Sequence, residues 1–230
     1  MPTDQELLPV MRQHGTVICR LPGAPEQWGV FSRPAEVIES RCCENIRPAL
    51  ERIEAAVRQG AYAAGFIAYE AAPAFDPAFE VASASDDFPL LWFGIYSEAP
   101  TPFPITTPVV IPPVAAVPEL TPAIAFHSYR DHINTILDYV AAGDIYQANY
   151  TIRTIGPSNI DMAALFLALF NRHPAPYAAW INTGALRLTS LSPELFWEKH
   201  GNTISSSPMK GTAPRKLFTE ADRHAAQALA

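Results

Sequence analysis

The sequence predicts an α/β protein of the α+β type, built on mixed but largely antiparallel sheet with flanking helices. Three observations carry this. Short apolar runs follow one another with only tight turns between them, as at Asn182-Thr183-Gly184 and His200-Gly201-Asn202, and such turns join antiparallel strands. Helical periodicity is confined to a few segments. Strict strand–helix alternation and a glycine-rich phosphate loop are both missing, which disfavours a doubly wound parallel sheet.

The elements follow in order. Residues 16–21 and 65–69 are short apolar or β-branched runs, and PLLWFGIY at 89–96 is an aromatic strand. Between them, 47–59 carries Leu50, Ile53, Ala56 and Val57 at helical spacing and stops at Gly60. A second helix follows residue 123. Ser128 is its candidate cap, Ile133, Ile136, Leu137 and Val140 its apolar stripe, and Gly143 its end. A strand is predicted over 145–152, then a helix over 161–171 with Met162, Leu165, Phe166 and Leu169 on one face. Strands over 177–182, 185–191, 194–200 and 203–207 come next, with helices expected on one side of the sheet. FTEADRHAAQALA at 218–230 reads as a helix starting after Thr219, with acids in its first turn and no stop signal. That ending is read as the mark of a fragment of a longer protein.

Proline divides the chain. There are 23 prolines in 230 residues, and eight of them fall in APTPFPITTPVVIPPVAAVPELTP at 99–122. Proline donates no ladder bond and forces its neighbour toward extended backbone, so this stretch is a linker or an extended strap. The domain reading is 1–98, a linker at 99–122, and 123–230.

Composition excludes several classes. A hydrophobic fraction of 49% against 17% charged residues describes a globular chain. A net charge of −7 argues against nucleic-acid and anionic-membrane partners, because phosphate binding needs clustered Lys and Arg. No run is long and apolar enough for a membrane span, and MPTDQELLPVMRQHG lacks the basic-then-apolar build of a signal peptide, so a cytoplasmic location is expected. Cys19, Cys42 and Cys43 show neither metal nor redox spacing, and the adjacent pair is expected along a helix as small apolar fillers. The six histidines form no HxxxH or HExxH pair, so no zinc site is expected.

Three stretches of the second part hold chemistry-bearing residues. They are GDIYQANY at 143–150 with Gln147, SLSPELF at 190–196 with Glu194, and SSSPMKGTAPR at 205–215 with Lys210. Taken singly each has a plain explanation: Gln147 as a sheet-edge amide, Glu194 as a solvated acid, Lys210 as a solvated turn lysine. Taken together, in this order, they resemble the chorismate-binding enzymes. That family includes anthranilate synthase component I, aminodeoxychorismate synthase component I, isochorismate synthase and salicylate synthase. The resemblance runs from about His127 onward. GFIAYEAAPAFD at 65–76 and LLWFGIY at 90–96 resemble the aminodeoxychorismate synthase component I branch, especially forms fused to an aminodeoxychorismate lyase domain.

The resemblance implies a β-sandwich like that of anthranilate synthase component I, incomplete at its C-terminus, with 123–230 as the first half of the chorismate-binding domain. Lysine in P-x-K-G-T marks aminodeoxychorismate synthase, where anthranilate synthases usually carry alanine, and Lys210 fills that place. Gln147 stands where isochorismate and salicylate synthases carry a general-base lysine, so water attack is disfavoured. Ala213 departs from the arginine common after Gly-Thr, while Arg215 remains.

By resemblance, Lys210 is the nucleophile that adds to the chorismate ring. Glu194 is the general acid for the departing hydroxyl and needs burial to hold a proton near neutrality. Gly211, Thr212, Gln147 and Arg215 are the expected substrate-binding groups. Mg²⁺ is the expected cofactor, with its glutamate ligands beyond Ala230 and none in this chain. No nucleophilic cysteine with a His-Glu pair is present, so a glutamine amidotransferase subunit is the expected ammonia source. The expected product is 4-amino-4-deoxychorismate, for p-aminobenzoate and folate biosynthesis, with the 230-residue chain inactive alone. Anthranilate synthase component I is the alternative enzyme. A non-catalytic docking or tryptophan-binding module is the alternative of another class.

Overall fold

The computed structural model describes residues 4–21, 24–82, 87–104, 119–156, 160–208 and 219–229. In chain order these form α1 (Asp4–Met11), β1 (Thr16–Leu21), β2 (Ala24–Phe31), β3 (Glu36–Ser40), α2 (Ile46–Arg58), β4 (Tyr62–Ile67), β5 (Leu91–Tyr96) and β6 (Thr101–Pro104). They continue with β7 (Thr121–Pro122), α3 (Phe126–Ala142), β8 (Thr154–Ile155), α4 (Met162–Arg172), β9 (Tyr177–Asn182), β10 (Arg187–Ser192), β11 (Leu195–His200), β12 (Thr203–Ser207) and α5 (Thr219–Leu229). Every strand pairing among the described residues is antiparallel.

Two sheets stack face to face. One has the order β10-β9-β1-β2-β6 and the other β3-β5-β4. Alternation along the strands assigns the faces, because successive side chains point to opposite sides. On β5, Trp92 and Tyr96 meet Val17, Phe31 and Ile181 between the sheets, while Leu91 and Ile95 join the core under α2. On β1 and β9, Ile18 and Trp180 turn the other way, into a core closed by α1 and α4. Helices therefore cover both outer faces. The expectation of helices on one side is corrected: both sheets are apolar on both faces, and each outer face needs its own cover.

Proline-rich sequence takes part in this core. Thr101–Pro104 pairs with β2 as an edge strand, and Phe103 stacks on Trp28 with ring centroids 6.5 Å apart. An edge position tolerates proline because its N–H side needs no partner. Strands from both sides of 99–122 thus share one sheet. Residues 105–118 of the strap lie outside the described residues.

Three local readings change. The core face of α4 is Ala163, Phe166, Leu167 and Phe170, not Leu165 and Leu169, and Leu169 is exposed. The helix cannot bury all its apolar residues, and the face chosen is the one that fits Trp28 and Trp180. α3 begins at Phe126 with Ala125 at its cap and no side-chain cap bond, so Ser128 lies inside the helix; Gly143 ends it in left-handed backbone with φ 81°. None of its residues is buried, and Leu137 and Val140 face solvent. The adjacent cysteines are not on a long helix. Cys42 is exposed ahead of a short 3₁₀ turn, and only Cys43 packs on the core.

The helix α1 is locked to the sheet by side chains from β9. Met11 is its last residue, and its carbonyl has no partner within the helix. It accepts the indole N–H of Trp180 at 3.0 Å and the amide of Asn182 at 3.1 Å. Asn182 is buried, and its Oδ1 also accepts the Gly184 N–H at 2.9 Å. Asn182→Ala should lower the free energy of unfolding by about 1.5 kcal/mol, since it removes one of the two donors to the Met11 carbonyl and the acceptor of the Gly184 N–H; urea unfolding measures this.

At the other end, Asp161 caps α4 through the N–H groups of Ala163 and Ala164 and pairs with Arg12 of the segment after α1. Partial burial pushes the Asp161 carboxyl up, but the Arg12 guanidinium and the two N–H groups outweigh it and hold it below its ordinary 3.8. A depressed carboxylate stabilises the fold above its unfolded value, and that stability is lost as pH falls through the lower folded value. Melting midpoints taken as pH is lowered below about 4 should fall more steeply for the native protein than for Asp161→Asn.

Candidate functional site

Of the six nominated residues, Gln147 and Glu194 are described; Lys210, Gly211, Thr212 and Arg215 lie outside the described residues. The predicted strand over 145–152 is absent. Residues 145–153 follow an irregular path, and only Thr154–Ile155 pairs, with Thr121–Pro122. The segment is drawn instead onto α3, where Tyr150 packs on Tyr129 and its hydroxyl lies 2.6 Å from His132 Nδ1. Gln147 is exposed on this path.

Glu194 occupies the corner between β10 and β11. Pro193 fixes φ and supplies no N–H. Ser192 grips the corner from its other side: its hydroxyl donates to the Glu194 carbonyl at 3.1 Å and accepts the Glu194 N–H at 3.3 Å. The Glu194 side chain is exposed, so the burial anticipated for it is not supplied by the described residues.

From this corner β11 runs out and β12 returns. Leu195 pairs with Ser207 and Glu198 with Ser205. Three steps on β11 therefore match two on β12, which is a one-residue bulge. Such a bulge leaves ladder groups unpaired, and Ser206 Oγ donates to the Phe196 carbonyl at 2.9 Å. His200 Nε2 meets Glu198 Oε1 at 2.5 Å further along. Phe196, Trp197 and Ile204 give the hairpin an exposed apolar surface. The register has one direct consequence. The chain leaves β12 at Ser207 beside the Glu194 corner, and Lys210 follows three residues later in sequence.

A cavity of about 720 Å³ opens between the two sheets at their β4 and β10 sides. Phe66, Phe88, Ile181 and Leu188 give it apolar walls, with Glu70 and Arg153 as its charged groups. Among the described residues, neither Gln147 nor Glu194 lines it. At the hairpin corner the 190–196 stretch meets the start of the 205–215 stretch, through the Leu195–Ser207 pair. Among the described residues no three His, Cys, Asp or Glu side chains stand close enough to hold a metal ion. The described residues thus do not build the magnesium site that the resemblance implies. Among the described residues, no helix is long and apolar enough to cross a membrane.

Comparison with known proteins gives the family. Residues 105–230, more than half of the chain, match the chorismate binding enzymes, and the chain belongs to that family. It is 33% identical over 102 residues to anthranilate synthase component 1 of Thermus thermophilus, covering 44% of this chain and 22% of that protein. It is 34% identical over 122 residues to aminodeoxychorismate synthase component 1 of Klebsiella aerogenes, covering 51% and 27%. With aminodeoxychorismate synthase component 1 of Bacillus subtilis the identity is 29% over 101 residues, covering 44% and 22%. The chain thus spans about a quarter of the length of these relatives.

Two polar residues of the corner were not nominated from sequence. Ser192 carried a signal, since serine before proline favours a side-chain-closed turn. Ser206 carried none, because nothing in TISSS marks the bulge opposite it. Ser206→Ala should leave the five-stranded sheet intact and raise amide exchange across 195–207 severalfold, as the bulge loses its side-chain tie; hydrogen-exchange mass spectrometry reads this.

Proposed function

We propose that the protein is aminodeoxychorismate synthase component I, converting chorismate and ammonia to 4-amino-4-deoxychorismate and water. The observation that carries the reading is the Leu195–Ser207 pairing. It brings Ser207, just ahead of Pro-Met-Lys-Gly-Thr in sequence, opposite the residue that follows Ser-Pro-Glu, which supports reading the acid and the lysine as parts of one site. In this reading the unprotonated Lys210 amine adds to ring carbon C2. The ring double bonds shift, and the C4 hydroxyl leaves as water on a proton from Glu194. Ammonia then adds at C4, the double bonds shift back, and the lysine leaves C2. Backbone N–H groups of Gly211 and Thr212, with Arg215 and Gln147, hold the carboxylates of the substrate. A glutamine amidotransferase subunit supplies the ammonia. Three free cysteines fit a reducing, cytoplasmic setting.

A second reading, anthranilate synthase component I, is favoured by the identity to the Thermus thermophilus relative. The product separates the two: one reaction retains the enolpyruvyl group, and the other releases pyruvate with anthranilate.

The test uses the full-length protein with chorismate and an ammonium salt. Mass spectrometry should find a chorismate-derived adduct on the peptide containing Lys210. Lys210→Ala should lose that adduct and cut amination by at least about a hundredfold, with chorismate affinity changed much less. Glu194→Gln should slow adduct formation and turnover together. Amination by Lys210→Ala at the native rate would show that ammonia attacks the ring directly.

A further inference from the structure

We infer that Ser192 is a positioning residue for the proposed general acid, holding Glu194 in place through its two flanking peptide groups. This rests on the reading of Glu194 as the acid. The observation is that one hydroxyl serves both sides of the same residue. Ser192 Oγ accepts the Glu194 N–H at 3.3 Å and donates to the Glu194 carbonyl at 3.1 Å. Pro193 lies between the two residues and its ring fixes φ there. The Glu194 Cα is therefore tied through the peptide before it and the peptide after it.

The surroundings explain why the tie is needed. Glu194 is exposed at the corner and lies outside the packed cores. Immediately after it, β11 carries the bulge between Leu195 and Glu198, a place where strand direction is easily altered. Ser192, by contrast, is the last residue of β10 and is anchored by pairing with Tyr177. The hydroxyl thus transmits the position of the five-stranded sheet to the corner. A general acid must reach its target within hydrogen-bond distance, and an error of about 1 Å in placement can cost up to about a hundredfold in rate.

Ser192 touches no reacting atom in this scheme, so its effect must run through Glu194. Steady-state amination of chorismate by the full-length protein tests this. Ser192→Ala should lower kcat about tenfold with KM for chorismate changed less than about twofold. Ser192→Thr, which keeps the hydroxyl, should restore most of the rate. Ser192→Cys, which keeps the shape and weakens both bonds, should fall between, and it also serves if the alanine variant folds poorly. In the Glu194→Gln background, adding Ser192→Ala should cost little more, because the group being positioned is already lost. A full tenfold further loss in that background, or a change in KM alone, would overturn the inference. So would native kcat in Ser192→Ala. Native turnover by Glu194→Gln alone is a separate result: it removes Glu194 from the reaction and the positioning role with it.

Discussion

The structure depends on one strand pairing, β9 against β1. β1 lies second to β2 and would otherwise be an edge strand. Instead it takes β9 along Thr16–Asn182 to Cys19–Ala179, and β10 then adds outside β9. This pairing joins the half of the chain before the proline strap to the half after it. It also sets where α1 ends, because the Met11 carbonyl receives donors from Trp180 and Asn182 of the same strand. Those bonds span a sequence separation of up to 171 residues. Pairings so far apart bring a loop-closure cost before any contact repays it, and they slow folding.

The pairing propagates to both layers. With β9 in place, Trp180 faces the helices and stacks near Phe166, at 6.0 Å between centroids. Its neighbour Ile181 faces the second sheet with Trp92 and Tyr96. The Tyr96 hydroxyl then reaches across and donates to the Gly15 carbonyl at 2.7 Å, just ahead of β1. Gly65 lets the second sheet close tightly, since a Cβ there would stand 2.0 Å from the Trp92 carbonyl oxygen. A slip of one residue in β9 would exchange Trp180 and Ile181 between layers and leave both cores misfilled.

Much of this was legible from residues alone. Thr16–Leu21, Tyr177–Asn182 and Thr203–Ser207 were readable because each is a short β-propensity run bounded by turn residues. Gly143 marked the end of α3 through its left-handed backbone. What escaped has physical causes. α1 hides Leu7, Leu8 and Met11 within a polar stretch interrupted by Pro9, and its burial depends on β9, far away in sequence. β2 and β3 are broken by charges and by prolines at their margins. The run over 145–152 has strand composition, but β-propensity describes fit to a neighbouring strand, and only the face of α3 is offered to it among the described residues. At the site, residue types were legible and geometry was not. Glu194 and Lys210 could be named from their motifs, whereas the bulge beside Glu194 shows only in the pairing of Leu195 and Ser207.

The bulge matters because antiparallel pairing carries a parity. Without the extra residue on β11, the pairing of Glu198 with Ser205 would propagate to Phe196 with Ser207, and Glu194 would move one step farther from the point where β12 ends. The extra residue brings Leu195 opposite Ser207 instead. It also reverses which face the residues before Phe196 present relative to those after it, since side chains alternate with period two. The hairpin turn at Gly201, with φ 56°, sits at the far end and can vary without touching this relation. The bulge cannot. A bulge disrupts the ladder locally, and here Ser206 Oγ donates to the Phe196 carbonyl beside it. A hairpin with a replaceable tip and a defined bulge at its base suits a pair of groups that must meet on one substrate. In the proposed chemistry the acid stands at the start of β11, at a corner that Ser192 ties back to the five-stranded sheet, and the sequence runs on from the end of β12 toward Lys210.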